Sequence, residues 1–335
     1  MTPAAPLKRA MAWGLLRSGA LRMHRSQFEK GRAILLLYHR VNDEGDPFFP
    51  ALPRAVFAAQ LDYLASRYRV EPLDDVVAWL AGGAEGPPRV AFTIDDGYPD
   101  TFEVVLPELE RHGLPATLFL ATAPPETGEP LWTDRTRWIL RYATASTLEM
   151  PALGLWQSPL DGQVSRLALL KRVLRLLKAL TPPEIDRAVH ALEAALAPQG
   201  PPLRVLGWEQ VRRLAAGPIV LGGHTHRHYM LSRLDDRALE EEVSTGLRLI
   251  EERTGARPRG FAYPNGEPPD YDERAIAVLR RLGLRYAFTC RHALARPGQD
   301  PFQLPRLYTS EPSLALFATR LAGLGKEEPW EAEVS

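Results

Sequence analysis

The stretch Val90-Ala91-Phe92-Thr93-Ile94-Asp95-Asp96-Gly97-Tyr98 starts as an apolar, β-branched run and ends abruptly in two adjacent carboxylates and a glycine. The apolar part reads as a strand buried on both faces, the kind that parallel α/β sheets contain. In such sheets the active site is built outside the carboxyl ends of the strands, where Asp95 and Asp96 stand. Two neighbouring aspartates repel each other unless a cation lies between them or one is protonated. Taken alone, the pair reads more readily as turn or helix-capping residues ahead of Gly97.

Similar short apolar runs recur on either side: Ala33 to Tyr38, Ala116 to Leu120, Pro218 to Leu221, Gly260 to Ala262, Tyr286 to Thr289 and Leu304 to Tyr308. In the last of these, Pro305 lacks a backbone donor and forces an edge position or a bulge. Helical patterns lie between them, such as Asp236 to Thr254, where Leu239, Val243, Leu247 and Ile250 repeat at helical spacing and Gly255 marks the end. The alternation predicts a largely parallel sheet covered by helices. Residues 131–202 break it, with no convincing strand but two helical patterns. One is Val164 to Leu180; the other starts at the capping sequence Thr181-Pro182-Pro183-Glu184 and runs to about Leu196. The segment reads as a helical insertion in a barrel-type domain.

A second constellation gives the aspartates a use. Ile219-Val220-Leu221-Gly222-Gly223-His224-Thr225-His226-Arg227-His228 is again a strand, a glycine break and then histidines. If the segment turns helically, His224 and His228 share one face while His226 points elsewhere. The bland reading is a satisfied histidine cluster. Two histidines and one carboxylate, however, leave an open coordination position, as a catalytic zinc site does. The second aspartate is then free to act as a base toward water.

Composition fits a soluble globular chain: 335 residues, 45% hydrophobic, 24% charged. A single cysteine, Cys290, excludes an internal disulfide. Zero formal net charge removes any global argument for a nucleic acid partner. The charge is unevenly spread, because Lys8, Arg9, Arg17, Arg22, Arg25, Lys30 and Arg32 face only Glu29 in residues 1–32, an arm of net +6. Its apolar run, Ala10 to Leu16, is far short of the roughly 20 residues of a spanning helix, and no clean cleavage site follows it. The arm reads either as a basic stretch for peripheral contact with an anionic membrane or as a helix packed on the domain. A cytoplasmic or membrane-peripheral location is the expectation.

The chain resembles the polysaccharide deacetylases of carbohydrate esterase family 4. Their Thr-Phe-Asp-Asp-Gly motif stands here as Thr93-Ile94-Asp95-Asp96-Gly97, and their His-Ser/Thr-x-x-His motif as His224 to His228. Leu37-Tyr38-His39-Arg40-Val41, Trp208-Glu209-Gln210, Phe261-Ala262-Tyr263-Pro264-Asn265-Gly266 and Leu304-Pro305-Arg306 are similar to further motifs of one branch, in family order. The resemblance implies a distorted (β/α) barrel of about seven strands over residues 33–312, with the basic arm 1–32 before it and a C-terminal helix and tail, 313–335, after it. It implies that Asp95 is the catalytic base, that Asp96, His224 and His228 hold one divalent ion, zinc being the first choice, and that Thr225 shapes the motif loop. It also implies an oxyanion contact from the backbone N–H of Asn265. Tyr98, Tyr263 and Pro264 are the expected substrate-binding residues.

Two departures affect the mechanism. Ala262 stands where many members carry an arginine that orients the base, and Arg306 stands where they carry a histidine that protonates the leaving amine. Arg306 is therefore expected to supply the cation that Ala262 cannot. The general acid is left unassigned, with His39 the first candidate and His226 and His292 weaker ones. The implied activity is removal of N-acetyl groups from amino sugars in a polysaccharide, oligosaccharide or glycolipid. The alternatives are hydrolysis of a non-sugar amide or ester on the same scaffold, and a glycan-binding relative without turnover.

Overall fold

The computed structural model describes residues 12–14, 30–311 and 313–322. All but a few residues of the basic arm, and most of the tail, lie outside them. In chain order, β1 (Ala33–Tyr38), buried at every position, is followed by α1 (Arg54–Arg67), the two-residue β2 (Arg69–Val70), α2 (Leu73–Ala81) and β3 (Arg89–Asp96). A π-helical turn, Thr101–Val105, leads into α3 (Leu106–His112), then β4 (Ala116–Leu120) and the short α4 (Ala123–Thr127). The insertion follows as α5 (Trp132–Tyr142), β5 (Thr147–Met150), β6 (Leu155–Pro159), α6 (Gln163–Leu177) and α7 (Pro182–Leu196). The alternation then resumes with α8 (Trp208–Ala215), β7 (Ile219–Gly223), α9 (Asp236–Thr254), β8 (Gly260–Ala262), α10 (Glu273–Arg281), β9 (Tyr286–His292), β10 (Leu304–Tyr308) and α11 (Leu314–Leu321).

Seven parallel strands close into a barrel in the order β1, β10, β9, β8, β7, β4, β3, with β3 pairing back onto β1. Closure runs from Ala33 opposite Arg89 to Tyr38 opposite Ile94. The seven are the expected strands; β2 is an addition that pairs with the first two residues of β3. Pro305 does not place β10 at an edge, since β10 lies between β1 and β9. The register instead shifts between Leu304 and Arg306, the bulge that was the other expectation.

Strand alternation sorts the side chains. Ile34, Leu36, Phe92 and Ile94 point to the helices outside, whereas Leu35, Ala91, Phe119, Ala262 and Phe288 fill the interior. The expected helices form where the sequence put them: α9 ends on left-handed Gly255, and Glu184 accepts hydrogen bonds from both the backbone N–H and the hydroxyl of Thr181 at the start of α7. One expectation fails. The insertion contains an antiparallel hairpin, β5 with β6, turning at left-handed Gly154. Its strands of four and five residues are too short to show a period. They gain their order from Leu148, Met150 and Leu155, which pack with α5, α6 and α7 into an apolar core that continues to α9 and α10.

The fold presses α9 against the loop after β7. At Gly246, inside α9, a Cβ would stand 2.8 Å from the carbonyl oxygen of Thr225 and 3.3 Å from the backbone nitrogen of His226. Alanine in a helix interior normally stabilises by about 1 kcal/mol relative to glycine. Here the clash with backbone reverses the sign, and Gly246→Ala should cost about 1–3 kcal/mol, as overpacking does. Thermal unfolding measures it; a raised Tm would show that the loop is not pinned by this contact.

Candidate active site

The site grows from the end of β3. Thr93 and Asp95 share the interior face of that strand, and Arg306 enters the same space from β10, fully buried. Its guanidinium meets Asp95 as a fork, Nη1 donating to Oδ1 at 2.7 Å and Nη2 to Oδ2 at 2.7 Å. Nε donates to the carbonyl of Thr289 and Nη1 also to the hydroxyl of Thr93. Phe119 and Phe288 pack against the guanidinium. Burial alone would raise the carboxyl's pKa, but Arg306 holds Asp95 below the ordinary carboxylate range, so it is ionised at neutral pH. Ala262, buried in the same interior cluster, leaves room where a long side chain would stand.

The next residue, Asp96, turns to a different task. Its backbone is left-handed, φ 72°, which ends the strand and separates its side chain from that of Asp95. Asp96 Oδ1 lies 3.2 Å from Nε2 of His224 and 3.2 Å from Nε2 of His228, and the two imidazole nitrogens are 3.1 Å apart. All three residues are buried. Ligand atoms about 2.0–2.1 Å from one zinc ion in a tetrahedral array are separated by about 3.4 Å, close to this triangle. Asp96 Oδ1 has no hydrogen-bond partner. His224 Nδ1 meets the carbonyl of Ala262 at 2.7 Å; that carbonyl fixes the proton on Nδ1 and leaves Nε2 as a lone pair facing the triangle. Burial pushes His228 down to about 4, so its ring is neutral, whereas at His224 burial is outweighed by the neighbouring Asp96 and Asp95, which draw the pKa upward. A buried carboxylate oxygen and two imidazole nitrogens converging within 3.2 Å of one another are a donor set suited to a divalent cation.

The histidines meet without the helical turn expected of them. Residues 224–230 form a bent loop, with Thr225 and His228 both left-handed. The loop holds because Thr225 Oγ1 accepts from the N–H of His228, the carbonyl of His226 accepts from Ala123, and buried Glu242 of α9 accepts from the N–H of Arg227. Left-handed backbone in non-glycine residues costs about 1–2 kcal/mol each. It recurs at Asp96, Thr225 and His228 within this site and at Asn265 in the loop after β8.

The remaining candidates are placed unequally. His39 is half-buried and lines a cavity of about 130 Å³ with Asp96 and His228. His226 bonds Thr122 and lines neither cavity that contains Asp96. His292 stacks on Tyr308 and lines neither as well. Of the three acid candidates, only His39 shares space with the triangle. Tyr98 borders both that cavity and a larger one of about 600 Å³. Tyr263 is instead fully buried, its ring stacked on Tyr271 and its hydroxyl donating to the carbonyl of Phe302, and Pro264 is buried too. Neither lines the cavities, so both support the loop that carries Asn265.

Three participants escaped sequence reasoning. Arg40 lies 3.5 Å over the ring of Tyr98 and pairs with Asp134 at 3.0 Å, while Trp132 donates to the carbonyl of His228 at 3.1 Å. Asp134 and Trp132 belong to α5, so the insertion forms a wall of the site. Only the arginine after His39 gave a local signal; the residues of α5 fell outside the two helical patterns read in the insertion.

Comparison with known proteins agrees with this geometry. The family model described as polysaccharide deacetylase matches residues 82–150 and 162–287. Among solved structures, the Streptococcus pyogenes deacetylase PplD, in complex with acetate, is 14% identical over 87% of this chain and 98% of that one, with a TM-score of 0.59. IcaB from Ammonifex degensii is 21% identical over 87% and 98%, with a TM-score of 0.55. The BpsB deacetylase domain from Bordetella bronchiseptica is 16% identical over 83% and 96%, with a TM-score of 0.51. At such identities the likeness is one of fold. No curated protein matches the chain by sequence.

The fork on Asp95 predicts distinct outcomes for two substitutions. Arg306→Ala strands a buried carboxylate and should destabilise by about 3–5 kcal/mol. Arg306→Lys keeps the charge but cannot make both bonds; it should fold and lower kcat while leaving KM near its original value. Unfolding curves and steady-state kinetics check both, and an unchanged kcat in the lysine variant would remove Arg306 from the chemistry.

Proposed function

The chain belongs to the polysaccharide deacetylase family, hydrolases of acylated carbohydrates, and from that premise we propose that it removes N-acetyl groups from amino sugars in a polysaccharide, oligosaccharide or glycolipid with the help of one divalent ion, zinc. The observation that carries this reading is the division of labour at the end of β3. Asp95 is clamped by Arg306 and kept ionised, and the adjacent Asp96 completes a separate triangle with His224 and His228.

In this mechanism Asp95 takes a proton from the attacking water. Arg306 occupies one lone-pair direction on each carboxylate oxygen, which fixes the plane of the group and leaves the others for that proton. The water oxygen bonds to the acyl carbon, and the negative charge that develops on the acyl oxygen is met by the backbone N–H of Asn265. Asp96, His224 and His228 would hold a divalent ion, which when bound would polarise the acyl oxygen and make water more acidic. Cleavage of the carbon–nitrogen bond sends the electron pair to nitrogen, which takes a proton from His39 and leaves as the free amine beside acetate. Tyr98 lines the floor on which the sugar rests.

The two aspartates should separate by role. Asp95→Asn is expected to retain bound zinc and lose activity by on the order of 10² to 10⁴-fold, whereas Asp96→Asn, His224→Ala and His228→Ala are expected to lose both. Metal content is read by elemental analysis, and acetate release is read across chitooligosaccharides, peptidoglycan, poly-N-acetylglucosamine and acetylated glycolipids. An active Asp95→Asn enzyme would sink the mechanism; acetate released only from non-sugar amides or esters would move the substrate to that class.

The basic arm adds a proposal about place. No helix of the described residues is long and apolar enough to cross a membrane. With its net +6, the arm of residues 1–32 would hold the enzyme on an anionic surface, each basic residue contributing about 1 kcal/mol. Binding to anionic vesicles should fall as salt rises and vanish when the arm is deleted. Equal sedimentation of full-length and truncated protein would reduce the arm to a packed helix.

A further inference from the structure

The larger cavity, about 600 Å³, reaches well past the triangle. From Asp96 and Tyr98 it runs along α5 to the segment 201–205, and its wall includes Phe49, Leu131, Trp138, Tyr142, Pro201 and Leu203. That volume lies in the range of sites that enclose a ligand much larger than one small group. The residues of α5 that face it include Asp134, Trp138 and Tyr142, spaced four apart on one side of the helix. Asp134 is the member nearest the chemistry, through Arg40 and Tyr98. Trp138 stands one turn further on, about 6 Å along the axis, which is close to the advance of one pyranose ring along a glycan chain.

Trp138 is built to stay in place. Its Nε1 donates to the carbonyl of Pro201 at 2.8 Å, and Tyr142 packs against it with ring centroids 5.9 Å apart. Gly200 lets the following segment lie flat on Tyr142, since a Cβ there would fall 2.4 Å from the ring. The indole itself remains only half-buried at the cavity. Large rigid aromatic faces with a polar edge already satisfied recognise apolar ring faces at little entropic cost. The charges along the cavity point the same way. Arg40 pairs with Asp134, Arg141 with Asp46 and Arg204 with Glu103. Each arginine of the lining is thus neutralised by a carboxylate, and Glu44 and Asp100 add further negative charge. A phosphate or carboxylate on the ligand would find no cation to receive it.

We propose that Trp138 is a binding residue for a second sugar ring, so that the cleft takes an uncharged N-acetylated chain of two or more units in preference to a single amino sugar. The chemistry of the first ring rests on the deacetylase reading above. The platform for the second is a property of the insertion, which no motif of the barrel specifies.

The test measures binding and turnover separately on the full chain loaded with zinc, using N-acetylglucosamine and its tetramer as probes. Wild type should bind the tetramer at least about tenfold more tightly than the monosaccharide. Trp138→Ala should shrink that ratio to about threefold or less, and Trp138→Phe, which keeps a ring, should restore most of it. Trp156→Ala, at an exposed tryptophan on β6 away from the cavity, should leave the ratio as in wild type. Equal affinity of wild type for both probes would overturn the proposal. So would a Trp138→Ala protein that loses affinity for both by the same factor, since that marks a collapsed wall. Acetate release in the same samples judges the deacetylase reading independently: length-dependent binding without acetate would fail that reading and uphold the second-ring site.

Discussion

Arg306 and Asp95 are both buried ions, and each is tolerable inside the barrel only because the other is there. Removing two charges from water costs several kcal/mol apiece, and only close, bidentate geometry with every remaining donor satisfied offsets that. The structure meets the condition: two bonds of 2.7 Å go to Asp95, and the other three donors reach the carbonyl of Thr289, the hydroxyl of Thr93 and Sγ of Cys290. Much of the barrel interior is arranged around this pair. Small Ala262 and Ala91 leave space, and the faces of Phe119 and Phe288 cover the guanidinium. A bulge at Pro305 sets the register in which Arg306 points inward.

Once Asp95 is neutralised in this way, the charge of Asp96 has to be met by something else. The two imidazoles beside it cannot do so fully. Burial drives His228 to its neutral form, and although burial also opposes a charge on His224, the neighbouring aspartates draw its pKa upward. The pocket therefore asks for positive charge at the triangle. Three non-glycine residues of the triangle and its loop, Asp96, Thr225 and His228, keep left-handed backbones. Such strain persists only where surrounding contacts over-determine the conformation, and the contacts are present in Thr225, Glu242 and the tight approach of Gly246.

The insertion is tied physically to the site. Trp132 holds the backbone of His228, Asp134 holds Arg40 on Tyr98, and Arg137 reaches the carbonyl of Phe48, all from one helix. The same helix is anchored from behind by Glu193 on Arg135 and by the apolar core it shares with α6 and α7. A segment that looks peripheral in the chain is thus one wall of the cleft.

Where a residue's role follows from its own strand and its neighbours in sequence, the sequence was sufficient. The seven barrel strands were visible because buried parallel strands are continuous apolar runs, and the helix ends at Thr181 and Gly255 because capping is local chemistry. Asp95, Asp96, His224 and His228 stood out as polar residues at strand ends, whereas Arg306 was noticed only through the family resemblance, at the place of a histidine. Tertiary structure decided the rest. The β5–β6 hairpin needs the insertion core to order it, Tyr263 is buried by packing that its motif does not encode, and the histidine loop bends instead of forming a helix. Arg40, Asp134, Trp132 and Trp138 acquire their places only when α5 folds against the barrel mouth. Asp134 lies 94 positions from Arg40, and Trp132 lies 96 from His228. No local pattern specifies pairings of that range, because they are fixed by the burial of the far side of the helix.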